Sequence, residues 1–396
     1  MLAVSVPAQD AAMKNRLDAV IDRAVSQEKI VGATMLVARD GKIVYRRTAG
    51  FNDREAKKPL RESDVFRLAS LSKLIVSTAA LVLVDEGKLH LDDPVTKYLP
   101  DFRPKLADGR EPVITVRQLL THTAGLTYTG FEKADGAYHR LNVSGGMDDV
   151  VVTLEENLRR IAAAPLLYEP GTSWGYSVAT DVLGAVVAKA GGASLPEVVR
   201  QKVTAPLKMK DTAFVAKNPA RLVIPYGDAA ERPVRMTEPF VLSLGSSEII
   251  YSPRKATDAT AYPSGGAGMV GTIDDYFRLL EVLRKGGAPI LKPATARLIA
   301  ENAIGDIPVQ AIDGSEGWGW SLGLSILKDP LAAKTPQSAG TWAWSGAYGH
   351  SYFVDPREKL TVICLTDTAI AGMVGEFPTA LVGAVYGKEN QSTGKR

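Results

Sequence analysis

The two ends of this 396-residue chain read as β-strands and its middle reads as helices. VGATMLVARDGKIVYRRTAG (31–50) is a pair of β-rich runs around Arg39-Asp40-Gly41-Lys42, and Asp-Gly between such runs is a hairpin signal. Near the other end, a run around 341–355 and LTVICLTDT (360–368) flank Asp355-Pro356-Arg357-Glu358, a second hairpin. An isolated hairpin cannot bury its own faces. The economical architecture is therefore one antiparallel sheet built from both ends of the chain and flanked by helices. Met13, Leu17, Val20, Ile21 and Ala24 recur at helical spacing and predict one helix over about 11–29. Another is predicted to close the chain over about 370–386. Helix starts such as Ser194-Leu195-Pro196-Glu197 and Thr272-Ile273-Asp274-Asp275 populate the interior. The expected division is a discontinuous sheet subdomain, 11–66 with 265–386, and a mainly helical subdomain, 67–264, with the active site between them. The tail GKENQSTGKR is expected to fray.

Composition narrows the partners. Net charge is +3 with acidic and basic residues interspersed, so there is no basic stripe for nucleic acid. A single cysteine, Cys364, excludes an internal disulfide and reads as a buried thiol in a strand. His90, His122, His139 and His350 are scattered without metal-ligand spacing, so no structural or catalytic zinc site is expected. No apolar run reads as long enough to span a bilayer. MLAVSVPAQD lacks the charged and apolar regions of a signal peptide, so the expected location is the cytoplasm.

FRLASLSKLIVS (66–77) poses the chemical question. The motif S-x-x-K puts a serine and a lysine on one helix face, and a lysine can act as base to a serine hydroxyl when its surroundings favour the neutral form. The chain holds this pattern at Ser26/Lys29, Ser70/Lys73, Ser252/Lys255, Ser325/Lys328 and Ser392/Lys395. Of these lysines, only Lys73 precedes a run, LIVSTAALVLV, that is apolar all round and so must be buried; the others read as solvated. Ser72 points to another face, and Ser77 lies mid-helix. Ser70 sits at the helix start, where free N–H groups and the dipole favour an oxyanion. A lysine snorkelling from a buried helix to solvent would give the same spacing. Gly171-Thr172-Ser173-Trp174-Gly175 is the chain's one G-x-S-x-G, but Glu169-Pro170 before it read as a turn, not as the strand of a nucleophile elbow.

The blocks FRLASLSK, GKLHLDDPVTKYLPDFRP, LLTHTAGL, EPGTSWGYSVATDVLGAVV, AYPSGGAGM and WSGAYGHSYFVD, in that order, resemble the serine β-lactamase/penicillin-binding protein superfamily. Within it they resemble the EstB-like family VIII carboxylesterases, over about residues 15 to 386. The resemblance implies an α/β fold in the α+β sense, β-lactamase/transpeptidase-like, with an antiparallel sheet flanked by helices and an inserted helical subdomain. It implies Ser70 as the acylated nucleophile, Lys73 with Tyr176 as general base, and the backbone N–H groups of Ser70 and Ala347 as oxyanion hole. Tyr128, Trp344 and Gly346 would line the substrate pocket, and no metal or organic cofactor is implied. Two departures matter. Val178 stands where β-lactamases carry the asparagine of Tyr-x-Asn, and Trp344-Ser345-Gly346 stands where they carry Lys-Thr-Gly. Loss of an amide and a cation favours a small neutral ester over an anionic peptide-like substrate, with the tryptophan as an apolar wall. An acyltransferase, a weak β-lactamase or peptidase, and a non-catalytic binding protein remain as alternatives.

Overall fold

A computed structural model describes residues 6–244, 247–310 and 316–388. The chain opens with α1 (Val6–Ser26), then β1 (Gly32–Arg39), β2 (Lys42–Asp53) and the short β3 (Lys58–Pro59) and β4 (Phe66–Arg67). Helices α2 (Ser72–Asp85), α3 (Val116–Leu120), α4 (Ala137–Arg140), α5 (Leu154–Ala163), α6 (Ala179–Gly191) and α7 (Leu195–Val199) follow. Next come β5 (Tyr226–Gly227) with β6 (Val234–Arg235), the hairpin β7 (Phe240–Leu244) and β8 (Ser247–Tyr251), and β9 (Val270–Gly271). Helices α8 (Ile273–Arg284) and α9 (Pro293–Arg297) lead back to β10 (Trp318–Trp320), β11 (Ser325–Leu327), β12 (Trp342–Gly346), β13 (His350–Asp355) and β14 (Leu360–Thr366). The chain then enters α10 (Ala369–Met373) and α11 (Glu376–Tyr386).

The main sheet runs β10-β11-β12-β13-β14-β1-β2-β3, so the two ends of the chain meet at its centre, where β1 and β14 pair antiparallel. Both central strands are buried on both faces, which is why GATMLVAR and LTVICLT are almost continuously apolar rather than alternating. One face, through Met35, Val37, Val362 and Cys364, packs on Met13, Leu17 and Ile21 of α1 and on Phe377 and Leu381 of α11. The other face, through Leu36, Ala38, Ile363 and Leu365, joins the large core formed with α2, α6 and α8. The Asp40-Gly41 turn joins β1 to β2 as the sequence indicates, with Arg39 paired to Lys42.

Three local features differ from the sequence reading. The closing helix is two, broken at Val374-Gly375. By length and composition Ala369–Tyr386 could cross a bilayer, yet Phe377, Leu381, Ala384 and Val385 are buried against α1 and the sheet. The interior also contains strand pairs, of which β7–β8 packs Leu242 and Tyr251 against Ala347 and Tyr348 beside the end of β12. The tail and the Ser392/Lys395 pair lie outside the described residues.

Leu36 and Ile363 face each other across the β1–β14 pair and are both fully buried. Truncating either to alanine is expected to cost about 2–5 kcal/mol in urea unfolding. The double variant is expected to lose less than the sum, because the two side chains share one cavity.

Candidate active site

Ser70 is delivered by a kink. From β4 the chain turns through a 3₁₀ segment, Ala69–Leu71, directly into α2, so Ser70 sits in that turn just ahead of the α-helix proper. Ala69 carries φ 46°, in the left-handed region that costs an ordinary residue roughly 1–2 kcal/mol. It is held there by full burial among Tyr251, Ala347 and Tyr348. Positive φ at Ala69 takes the turn out of the helical conformation in which the Ser70 N–H would reach the Arg67 carbonyl, and that carbonyl accepts the Nε2–H of His350 at 2.7 Å. Burial lowers the His350 imidazole to about 4, so it is a neutral donor. Among the described residues the Ser70 N–H then donates to nothing. Nor does the N–H of Ala347, just past β12, whose carbonyl is pinned by the Tyr251 hydroxyl at 3.0 Å. Close approach of strand and turn needs glycine at 346, where a Cβ would lie 2.6 Å from the Leu68 carbonyl oxygen. The site thus offers a serine hydroxyl with free amides, the arrangement that stabilises an acyl-transfer oxyanion.

Lys73 does not reach solvent; it is 1% exposed. Its Nζ donates to the Gly266 carbonyl at 2.8 Å and to Ser70 Oγ at 3.3 Å. It also stands 4.6 Å from the centroid of the Tyr176 ring and 5.4 Å from that of Tyr128. Gly266 lies in the turn between Ser264 and Met269, which is tied to α2 by the Met269 N–H on Ser72 Oγ. Ser72 is therefore occupied structurally.

Tyr176 follows Trp174 in an aromatic cluster. Its ring packs on His122 at 4.9 Å, Tyr128 at 5.5 Å and Trp344 at 5.0 Å, and stacks on Trp174 at 6.3 Å. Trp344, on β12, donates its indole N–H to the Tyr176 oxygen at 3.2 Å. It is not the bare apolar wall that the sequence suggests. His122 is fully buried, with its Nδ1 3.1 Å from the Ser177 hydroxyl. Burial first, and then the Lys73 charge, hold it well below its usual pKa. The structure thus brings together Ser70, Lys73, Tyr176, Tyr128, Trp344, Gly346 and Ala347. Ser173 lies in a turn, without the strand and helix of a nucleophile elbow.

A model of the family described as Beta-lactamase matches residues 17–380. The chain belongs to the beta-lactamase family. It is 47% identical over 96% of both chains to "Esterase EstB" of Burkholderia gladioli. It is 30% identical to "Acyltransferase calJ" of Penicillium decumbens, over 71% of this chain and 68% of that one. Among solved structures it superposes on "EstCE1, a hydrolase with promiscuous acyltransferase activity" with a TM-score of 0.91 at 43% identity, covering 95% of this chain and 99% of that one. The antiparallel sheet flanked by helices is the fold of this family.

Beside Ser70 and Lys73 the structure adds a carboxylate that sequence reasoning missed. Asp181, on the first turn of α6, is fully buried, and neither oxygen meets a hydrogen-bond partner at good geometry. A Cβ built on Gly266 would sit 2.7 Å from its Oδ2, 3.1 Å from the Tyr128 hydroxyl and 3.5 Å from Lys73 Nζ. All of these groups crowd around one backbone point. Burial raises the Asp181 carboxyl to about 6, against the lowering pull of Ser264 and the Lys73 charge. The available signal is an acid in an otherwise apolar helical run, VATDVLGAVV, five residues after Tyr176. A second correction concerns Lys255, which the sequence predicts to be solvated. It lies 3.6 Å from Asp148 and over the Tyr262 ring, because the Pro253–Thr257 turn folds inward.

Asp181 gives a stability test with a definite sign. An acid raised from 3.8 to about 6 on folding favours the protonated native state, so wild type loses stability relative to a neutral isostere as pH rises through that window. Asp181→Asn is expected to gain on wild type by on the order of 1–3 kcal/mol between pH 4 and pH 7 in urea unfolding, and by nothing further above pH 7.

Proposed function

We propose that this chain is a serine carboxylesterase that hydrolyses short-acyl neutral esters through an acyl-enzyme on Ser70. The observation that carries the proposal is a serine hydroxyl 3.3 Å from a buried lysine, with its own N–H and that of Ala347 both unoccupied. Ser70 Oγ attacks the ester carbonyl carbon while its proton passes to the Lys73–Tyr176 pair. The carbonyl oxygen takes up negative charge against the two free N–H groups. Collapse breaks the bond to the alcohol, which leaves with the proton returned from the pair. Water then attacks the acyl-serine by the same route and releases the acid and Ser70. The names of the relatives, an esterase and a hydrolase, support the same class of reaction.

Neutral substrates are favoured by what surrounds the serine. Trp344 replaces a cation, and Val178, fully buried, replaces an amide. Tyr128, Phe131 and Tyr176 add aromatic surface, Phe131 being 51% exposed. An acyl-enzyme intermediate can also be taken by an alcohol instead of water. The "promiscuous acyltransferase activity" of the similar hydrolase EstCE1 favours this second reading.

Wild type is expected to hydrolyse p-nitrophenyl butyrate, and Ser70→Ala, Lys73→Ala and Tyr176→Phe to lose at least about a thousandfold in kcat while folding normally. Turnover surviving in Ser70→Ala would remove the nucleophile assignment. Adding a competing primary alcohol is expected to divert part of the butyryl group into a new ester at the expense of butyrate. Unchanged butyrate release with no new ester would restrict the chain to hydrolysis.

A further inference from the structure

We propose that His350 is a positioning residue for the oxyanion site. Through the Arg67 carbonyl, its imidazole holds the turn that carries the Ser70 N–H in register with the strand end that carries the Ala347 N–H. This rests on the acyl-enzyme reading above and assigns the alignment of its two amides to one side chain.

The two amides belong to separate segments. Ser70 lies in the turn between β4 and α2, and Ala347 in the turn between β12 and β13. Each segment is well fixed within its own surroundings. The Gly349 N–H closes the second turn on the Gly346 carbonyl at 2.8 Å, and the Tyr251 hydroxyl holds the Ala347 carbonyl at 3.0 Å. Ahead of the first turn, the Arg67 guanidinium donates to the carbonyls of Val223 at 2.7 Å and Pro253 at 3.0 Å. None of these contacts sets one segment against the other.

Backbone pairing does not set it either. Among the described residues, no backbone hydrogen bond joins 66–71 to 342–350, and β4 pairs with β9 instead. The His350 side chain makes the link. It starts on β13, opposite Gly346 in the ladder, and passes close beneath that glycine, where a built Cβ would lie 3.3 Å from its Cδ2. Its Nε2–H ends on the Arg67 carbonyl at 2.7 Å, three residues before Ser70. A carbonyl can only accept, so Nε2 carries the proton, and Nδ1 meets no partner at good geometry. Phe66 packs edge-on against the ring at 5.7 Å and keeps it in that orientation. Tyr348 also faces the Arg67 guanidinium at 5.9 Å, a contact that adds attraction without a fixed direction.

Register matters because an oxyanion donor works only when it meets the place where the charge develops. If the two segments slide, both amides cannot meet one oxygen, and a shift of about 1 Å can cost about a hundredfold in rate. The ester in its ground state makes little use of these donors. The loss therefore falls on kcat and on binding of an oxyanion, not on KM.

The decisive variant is His350→Phe, which keeps a ring against Phe66 and loses the N–H. With p-nitrophenyl butyrate, assayed well below the melting temperature, kcat is expected to fall about ten- to a hundredfold while KM stays within about twofold. A trifluoromethyl ketone, which Ser70 would convert into an adduct bearing an oxyanion, is expected to bind more weakly by the same factor. His350→Gln, whose amide can place an N–H where the imidazole has one, is expected to recover most of both losses. Wild-type kcat and ketone affinity in His350→Phe would overturn the inference, as would a raised KM with both intact. Equal losses in His350→Phe and His350→Gln would reduce the histidine to packing and overturn it too. Ser70→Ala separates the two levels. If it retains turnover, the underlying mechanism fails; if it is inactive while His350→Phe behaves as wild type, only this inference fails. Should His350→Phe not fold, His350→Met and His350→Gln, similar in length and differing in the donor, make the same comparison. A higher kcat and tighter ketone binding in His350→Gln are expected, and equality of the two would overturn the assignment.

Discussion

The burial of one lysine side chain organises this molecule. Lys73 sits on a helix whose neighbouring positions are apolar, and taking its amino group out of water is tolerated only with fixed partners. Those partners come from distant parts of the chain: a backbone carbonyl from Gly266, a hydroxyl from Ser70, ring faces from Tyr128 and Tyr176, and a carboxylate from Asp181. Satisfying the lysine therefore fixes how the 261–269 turn, the 122–131 loop and α6 close over α2. The same closure brings Ser70, Lys73 and Tyr176 together, so on the proposed function the stability problem and the catalytic arrangement have one solution.

The backbone around the proposed oxyanion amides is held by side chains that lie behind it. Positive φ at Ala69 turns the Ser70 N–H away from a helical partner, and neutral His350 anchors the Arg67 carbonyl just before that turn. A buried tyrosine hydroxyl anchors the carbonyl of Ala347. Neither side chain needs to touch a substrate to fix where these amides point. On the proposed mechanism such amides are oriented before any ester arrives, which is what makes fixed donors effective.

Much of this was legible in the sequence, for identifiable reasons. The β1–β2 hairpin announces itself through Asp40-Gly41, and the central strands through unbroken apolar runs. Ser70 stands out because an all-apolar stretch follows Lys73 and helix starts favour anions. What stayed hidden depended on backbone or on long-range packing. Gly266 acts through its carbonyl, which no residue type reveals. Asp181 looks like an ordinary helix acid until α6 is seen buried against α2. Trp344 reads as bulk until its N–H is found on Tyr176. The β7–β8 hairpin stays hidden because its alternation is short and its packing partners, Ala347 and Tyr348, lie far along the chain.

The pairing of β1 with β14 has a temporal meaning as well as a spatial one. A chain made from its N-terminus exposes β1, then α2 with its serine and lysine, long before β12 and β14 exist. The sheet cannot close across its centre, nor Ala347 and Trp344 reach the serine, until almost the whole sequence has been synthesised. Contacts of such sequence separation form late and slowly. A truncated product would carry Ser70 and Lys73 without the strand that brings Ala347 and Trp344 beside them, so on the proposed function chemical competence is the last property this chain acquires.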